Sequence, residues 1–559
     1  AVLLSFATTA LSFGALAFIS FAPVHTIGLT VAVGLTAACL TAFARGSFPS
    51  SKVLLCVLLL AAGFFSACTL FNKDDDDDGP TFSQQSSDWL FILYSDADNN
   101  LNDAIWFDLF STECALADMR KADESAKEGF PSVRAVVLWD GQSRTDAVSD
   151  GNTRIRPKAA IYELNAIDDS TYNGYKSGDI TGWTLGTNAV NMTSSASSWL
   201  STEPDMGDVS TLTNYLKWVK TYFSADNVVL MLGDHGSGTE YESKSSSIYG
   251  SARSLCSDDT NNTHLCLSAT DVKTAIADSG LEVDIIWMDC CLQGNAETAY
   301  ILRNSADYLV TSANVSSSHS YYKALTSLTT ESTPLSFGQA IVQEYADLYE
   351  NYARSYAYDS SYDAVLTQAQ YDLSETKQTA LYQAVEELAS ALLTDGETVS
   401  QAVYTKYLRQ DEDDEDECMG MAYCGTYVYL NDLGYLCTNL IADSSAESPA
   451  GVSEETIAAA RTLMACIDDV VVTSWIGKKS RSDSQWTYQK NLSGFDDTVL
   501  TSSDGTFGLT IATQLDSYCL TEEGKEYSTI FPLYSSYSTV TGYSSQWGKV
   551  MKIWHAGEY

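Results

Sequence analysis

Basic residues are scarce in this chain. Its 559 residues carry 31 Lys and Arg against 73 Asp and Glu, a formal charge of -42. Binding to phosphate backbones needs a basic surface, so the charge argues against a nucleic-acid partner. Histidine is scarcer still, at five residues, and none of the five clusters at metal-ligand spacing. No Cys-x-x-Cys pair occurs either, so a structural zinc site is not expected. From Ala1 to Phe43 there is no Lys, Arg, Asp or Glu at all. A stretch of that length and polarity can cross a bilayer, once or twice.

Arg45 and Lys52 follow, then an apolar run from Val53 to Phe65, then Ser66-Ala67-Cys68. A basic region, a short apolar region and small residues at a cleavage point describe an export signal. Small residues just before a Cys resemble a bacterial lipoprotein box, which makes Cys68 the candidate lipidated residue. The box usually has Leu where Phe65 stands, and a transmembrane anchor is the alternative. Both readings put the remainder outside the cytoplasm, on the cell surface or in the periplasm.

What is abundant is apolar: 45% of residues are hydrophobic and 11% aromatic, enough for well-packed cores. The sequence divides into four parts. Residues 1–68 form the membrane or signal segment. Residues 69–87, with five consecutive Asp from Asp74 to Asp78, form an acidic tether. Residues 88–327 read as a first α/β body and 328–559 as a further α/β region, helix-rich, packed on it. Ten Cys follow Cys68. Cys256 and Cys266 flank a polar loop, as do Cys418 and Cys424, and their pairing stays open.

Short apolar runs bounded by turn formers predict buried strands at Trp89–Tyr94, Val133–Trp139, Ile161–Leu164, Val228–Leu232, Val283–Met288 and Tyr308–Thr311. Helical periodicity predicts helices near Leu101–Lys121, Asp208–Phe223, Ala269–Ser279 and Glu297–Asn304. Strands alternating with helices imply βαβ units, hence a mostly parallel sheet with helices on both faces. Beyond Ser327, Tyr345, Tyr349, Tyr352 and Tyr356 form one helical stripe and Leu381, Val385, Leu388 and Leu392 another. The acidic run Asp411 to Glu417 reads as a solvated loop, since it lacks the spacing of an EF-hand.

Two strand ends carry chemistry. After Val228–Leu232 comes Gly233-Asp234-His235-Gly236-Ser237-Gly238, and after Val283–Met288 comes Asp289-Cys290-Cys291-Leu292-Gln293-Gly294. Neighbouring strand ends of a parallel sheet form the crevice where ligands bind. A His and a Cys meeting there suit thiol nucleophilic catalysis. Cys291 supplies the nucleophile and His235 the proton-transfer group. The N–H groups of Gly236 and Cys291 are candidate oxyanion donors. The helix expected at Asn295–Arg303, together with the backbone N–H groups before it, is expected to lower the Cys291 thiol pKa. Alternation along the strand turns Cys290 away from Cys291.

These segments resemble the clostripain family of cysteine peptidases. Asp98-Asn99-Asn100-Leu101 resembles the family's first loop, Met206-Gly207-Asp208 the segment before its His, and His235-Gly236-Ser237-Gly238 its His-Gly signature. Asp289-Cys290-Cys291-Leu292-Gln293-Gly294 resembles its Asp-Ala-Cys-Leu-Met-Gly, with Cys290 where Ala is usual. The resemblance implies a caspase-like fold, a dyad of His235 and Cys291, and cleavage of peptide substrates after basic residues. It also implies self-cleavage between the two signatures, where Lys244 and Arg253 are the basic candidates, and calcium dependence, although no cofactor is required. For calcium, Asp96, Asp98, Asp258 and Asp259 offer oxygens. The family's acidic pocket residues after the Tyr308 strand are missing from Ser312-Ala313-Asn314-Val315-Ser316-Ser317-Ser318-His319. That leaves Asp289, read either as the pocket anion or as a residue orienting the turn. A non-catalytic surface-binding protein on the same scaffold is the alternative function.

Overall fold

Residues 83–124, 130–142, 145–147, 153–155, 158–167, 188–236, 238, 255–256, 266–349, 366–408, 430–446, 449–477, 488–492, 507–513 and 545–554 are described by a computed structural model of the chain. The apolar runs become strands covered on both faces. β1 (Gln85–Ala97) leads into α1 (Asn102–Glu124) and β2 (Val133–Gly141). A small hairpin of β3 (Thr145–Ala147) and β4 (Thr153–Ile155) precedes β5 (Ala159–Leu164) and β6 (Val190–Asn191). Then come α2 (Val209–Tyr222), β7 (Phe223–Gly233), α3 (Ala269–Ser279), β8 (Ile285–Asp289), α4 (Ala296–Leu302) and β9 (Tyr308–Thr311). Two helices, α5 (Tyr321–Thr326) and α6 (Pro334–Tyr349), lead to β10 (Thr367–Asp372), α7 (Glu375–Asp395) and α8 (Glu397–Val403). The last described elements are β11 (Leu430–Asp432), α9 (Leu433–Ala442), α10 (Glu454–Val470), β12 (Val471–Ile476), β13 (Tyr488–Lys490), β14 (Thr510–Ala512) and α11 (Gln546–Trp554).

Ten strands form one sheet in the order β13-β12-β10-β9-β8-β7-β1-β2-β5-β6. The five central strands, β9 to β2 in that order, are parallel to one another. The strands outside them on both sides pair antiparallel. The expected parallel sheet is therefore its centre; the Ile161–Leu164 strand appears as β5 but pairs antiparallel, and β6 on its side and β10, β12 and β13 on the other were not foreseen. The region beyond Ser327 thus packs on the first body and also extends its sheet. β1 begins at Gln85, inside the expected tether, because its first residues pair with Phe223–Ala225 at the start of β7.

Strand periodicity sorts the core into two layers. Trp89, Phe91 and Leu93 face one side with Leu109, Phe110 and Phe337. Leu90, Ile92 and Tyr94 face the other with Leu212, Tyr215 and Leu216. Successive strand residues point to opposite faces, so one continuous apolar run serves both layers. The helices start where local chemistry allows. The Asp208 side chain accepts from the Ser210 amide to cap α2. Ser268 and Asp271 form a capping box on α3, which ends at Gly280 with φ of +64°. The Leu381, Val385, Leu388 and Leu392 stripe is buried along α7. Tyr345 and Tyr349 are buried on α6; Tyr352, Tyr356 and the 411–417 acidic run lie outside the described residues. Among the described residues no helix is long and apolar enough to cross a membrane.

Candidate active site

β7 and β8 are neighbours and parallel, with Gly233 level with Asp289. The chain leaves both strands at the same rim, so His235 and Cys291, each two residues further on, leave it side by side. Gly236 measures how close the two loops come. A Cβ on it would lie 2.2 Å from the Cys291 carbonyl oxygen and 3.0 Å from the Cys291 amide nitrogen. Only a residue without a Cβ allows that approach. A second tie runs from Gln293 Nε2 to the carbonyl of Gly238 at 3.3 Å.

Cys291 sits in a tight turn. Leu292 has φ of +66°. The amides of Leu292 and Gly294 donate to the carbonyls of Asn314 at 2.9 Å and Ser312 at 2.8 Å. Asn295 closes the turn: Nδ2 donates to the Leu292 carbonyl at 2.9 Å, and Oδ1 accepts from the Thr298 amide at 2.7 Å, capping α4. β14 braces the same turn, with the Thr510 amide donating to the Gly294 carbonyl at 3.1 Å and the Ala512 amide to Glu297 Oε1 at 2.8 Å.

Cys291 is half-buried, and the Ser316 amide donates to its Sγ at 3.3 Å. Burial pushes the thiol up to about 11; the Ser316 amide opposes this, and the charges of Asp289 and Asp234 add to it. The lowered thiol pKa expected from the following helix is therefore corrected. α4 begins at Ala296, where the helix was expected, but desolvation outweighs the one amide that reaches the sulfur. Cys290 turns into the core, 1% exposed, with its Sγ donating to the Leu232 carbonyl at 3.4 Å. His235 is half-buried, and its Nε2 lies 2.7 Å from Asn100 Oδ1. The preceding Asp234 accepts from Asn99 Nδ2 at 2.7 Å.

The sequence profile of the clostripain family matches residues 94–554. The chain belongs to the clostripain family. The curated clostripain of Hathewaya histolytica is 26% identical over 234 residues, 40% of this chain and 38% of its own length. The chain thus matches well under half of that relative. Among solved structures, a secreted C11 cysteine protease from Bacteroides thetaiotaomicron, bound to an irreversible peptide inhibitor, aligns at 14% identity. That alignment covers 80% of this chain and 98% of the protease, with a TM-score of 0.49. An inactive zymogen C11 protease from Parabacteroides distasonis aligns at 14% identity over 78% of this chain and 92% of its own, with a TM-score of 0.43.

In this clostripain-family chain Asp289 reaches the same rim as Cys291. Its Oδ2 accepts from the Tyr321 hydroxyl at 2.7 Å, and its Oδ1 lies 3.7 Å from His319 Nε2. The His319 side chain is 3% exposed. Burial holds its pKa below the ordinary histidine value, against the opposing pull of Asp289, so the ring is neutral at pH 7. Ser317 and Ser318, just before His319, are held by Tyr349, whose hydroxyl donates to the Ser318 carbonyl at 2.8 Å and lies 2.7 Å from the Ser317 hydroxyl.

Sequence reasoning did not single out Asn100, Ser316 or Tyr321, and it read His319 only as part of a segment lacking acids. Asn100 carried a signal, since its loop stands at the end of a strand that a parallel sheet brings to the same rim. Ser316 and Tyr321 carried none, because their contacts depend on how the chain after β9 folds back. Cys256 and Cys266 are buried thiols rather than a disulfide. Among the described residues no group of three or more His, Cys, Asp or Glu is placed to hold a metal ion. Cys68, Lys244, Arg253, Asp258, Asp259, Cys418 and Cys424 lie outside the described residues.

Replacing Gly236 by Ala forces its Cβ into the Cys291 backbone and separates the two loops. The expected outcome for Gly236→Ala is a loss of peptide turnover of about 10²-fold with an unchanged circular dichroism spectrum.

Proposed function

We propose that this chain is an extracytoplasmic cysteine endopeptidase, held at the membrane by its first 68 residues, with His235 and Cys291 as its catalytic dyad. The observation that carries the reading is the contact of Gly236 with the backbone of Cys291 at two level strand ends. A thiol with its pKa near 11 is protonated at pH 7, so the reaction needs a base beside it. His235 is that base, because an imidazole gives and takes protons near neutrality.

In the proposed reaction Sγ of Cys291 attacks the scissile carbonyl carbon while its proton passes to His235. The carbonyl oxygen becomes an oxyanion, stabilised by the N–H groups of Gly236 and Cys291, each worth about 3 kcal/mol. The C–N bond then breaks, and His235 returns the proton to the leaving amine. Water, deprotonated by the same imidazole, hydrolyses the thioester and frees the thiol. No cofactor enters these steps. Calcium dependence is proposed only as a stabilising effect outside these steps, with no site assigned to it, and activity measured with and without a chelator tests it.

The proposed substrates are peptides and proteins cut after basic residues, with Asp289 as the pocket anion. Asp289 supports this by its position beside the nucleophile, and its acceptor capacity exceeds the one hydroxyl of Tyr321. Cys68 is the proposed lipid attachment point. Lys244 and Arg253 are the proposed self-cleavage positions.

Three outcomes are expected. Cys291→Ala and His235→Ala each abolish hydrolysis of fluorogenic peptides, and wild-type kcat/KM falls as pH drops below neutrality, because protonation of the imidazole removes the base. Hydrolysis that survives in Cys291→Ala, or its absence from the wild-type chain on every peptide, rejects the dyad; the second result favours the binding-protein alternative. Asp289→Asn lowers kcat/KM for Lys and Arg peptides by about 10- to 100-fold relative to uncharged ones, and equal loss on both rejects the pocket role. Incubated wild-type protein yields two fragments on a denaturing gel, the second beginning at residue 245 or 254, whereas Cys291→Ala stays one chain.

A further inference from the structure

The loop after β1 reaches across to the loop after β7 and holds two consecutive residues of it. Asn99 Nδ2 donates to Asp234 Oδ1 at 2.7 Å. Asn100 Oδ1 lies 2.7 Å from Nε2 of His235. The donor loop is itself braced. Asn99 Oδ1 accepts from the Leu101 amide at 2.8 Å, and the buried Asn102 donates through Nδ2 to the Ala97 carbonyl at 2.8 Å. β1 pairs with β7 over ten residue positions, ending with Ser95 beside Gly233. The two loops are therefore presented by neighbouring strands of a rigid sheet.

We propose that Asn100 is a positioning residue for His235, fixing both the orientation and the tautomer of its ring. A side-chain carbonyl only accepts, so the nitrogen it contacts must carry the proton. With Nε2–H committed to Asn100, Nδ1 is the unprotonated nitrogen. It is the one left to take the proton from Cys291 Sγ and return it to the leaving amine. The opposite tautomer would place a hydrogen on Nδ1 and leave no acceptor for the thiol proton. Ring rotation about χ2 breaks the contact with Asn100, so the same bond resists misorientation. This role rests on the dyad proposed above, and it adds a third member on a different strand end.

The test uses the full chain, with Asn100→Ala, Asn100→Asp and His235→Ala assayed on one fluorogenic peptide across pH. Asn100→Ala is expected to lower kcat by about 10- to 100-fold with KM within about twofold. Asn100→Asp keeps an acceptor and is expected to recover most of that loss. Its carboxylate also stabilises the imidazolium, so the acidic limb of its profile moves to higher pH by about one unit or more. Asp98 and Asp234 beside the contact and Cys291 across it are the same in every variant, so the shift reports the 100–235 contact itself. Wild-type kcat and pH profile in Asn100→Ala, with His235→Ala inactive, overturn the positioning role and leave the dyad standing. Full activity in His235→Ala overturns both. If Asn100→Ala does not fold, the imidazole ¹⁵N shifts of His235 in the wild-type protein decide: protonation at Nε2 supports the proposal, and protonation at Nδ1 or a mixture overturns it.

Discussion

The register between β7 and β8 is the constraint from which the site follows. Both strands are buried on both faces, and both exit at one rim with Gly233 opposite Asp289. A one-residue slip would reverse every side chain of one strand and move one loop along the other. The register is pinned at the far end by Asp284. Its amide donates to the Val228 carbonyl at 2.9 Å and its Oδ2 accepts from the Val228 amide at 2.6 Å. Its own carbonyl accepts from the amides of Asp307 and Tyr308, which sets β9 in place as well. Burial raises the pKa of this carboxyl, and the Val228 amide offsets part of the rise. One aspartate at the bottom of the sheet thereby aligns three strands whose tops carry His235, Cys291 and the Ser312–Ser318 segment.

The later part of the chain is structural support for that rim. Asp432 is fully buried and accepts from the amides of Tyr435, Phe507 and Gly508. Burial still pushes its carboxyl up to about 6, against those donors. The hydroxyl of Tyr371 on β10 donates to the Gly508 carbonyl. Two residues further on, Thr510 donates to the Gly294 carbonyl and so reaches the Cys291 turn. The turn is thus held from β9 on one side and β14 on the other, over a sequence separation that no local pattern can bridge. The family match runs on to residue 554, through the elements that brace this turn.

Much of the fold was readable from periodicity. The runs Trp89–Tyr94, Val228–Leu232, Val283–Met288 and Tyr308–Thr311 are each a strand, and their parallel order follows from the helices between them. Asp208, Ser268 and Gly280 mark helix ends by ordinary capping chemistry. Of the antiparallel wings only β5 was readable, as the Ile161–Leu164 run. β6 is two residues long, and β13 three, so neither leaves a periodic signature. Cys290 was correctly turned inward by strand alternation. The thiol pKa of Cys291 was read the wrong way because its desolvation was not visible in the sequence, although the helix after it starts where it was expected.

By itself the sequence determined which strand ends meet at one rim, since a His-Gly after one apolar run and an Asp-Cys-Cys after another mark two neighbouring strand ends and put a His and a Cys on them. Composition also settled that the surface is acidic. Tertiary structure alone decided what surrounds those side chains: Asn100 on His235, the Ser316 amide on Cys291, and Tyr321 with His319 at Asp289. The reason is range. Strand and helix periodicity are local properties of a dozen residues, whereas each of these contacts joins residues 25 or more apart, and packing of the whole sheet sets where they meet.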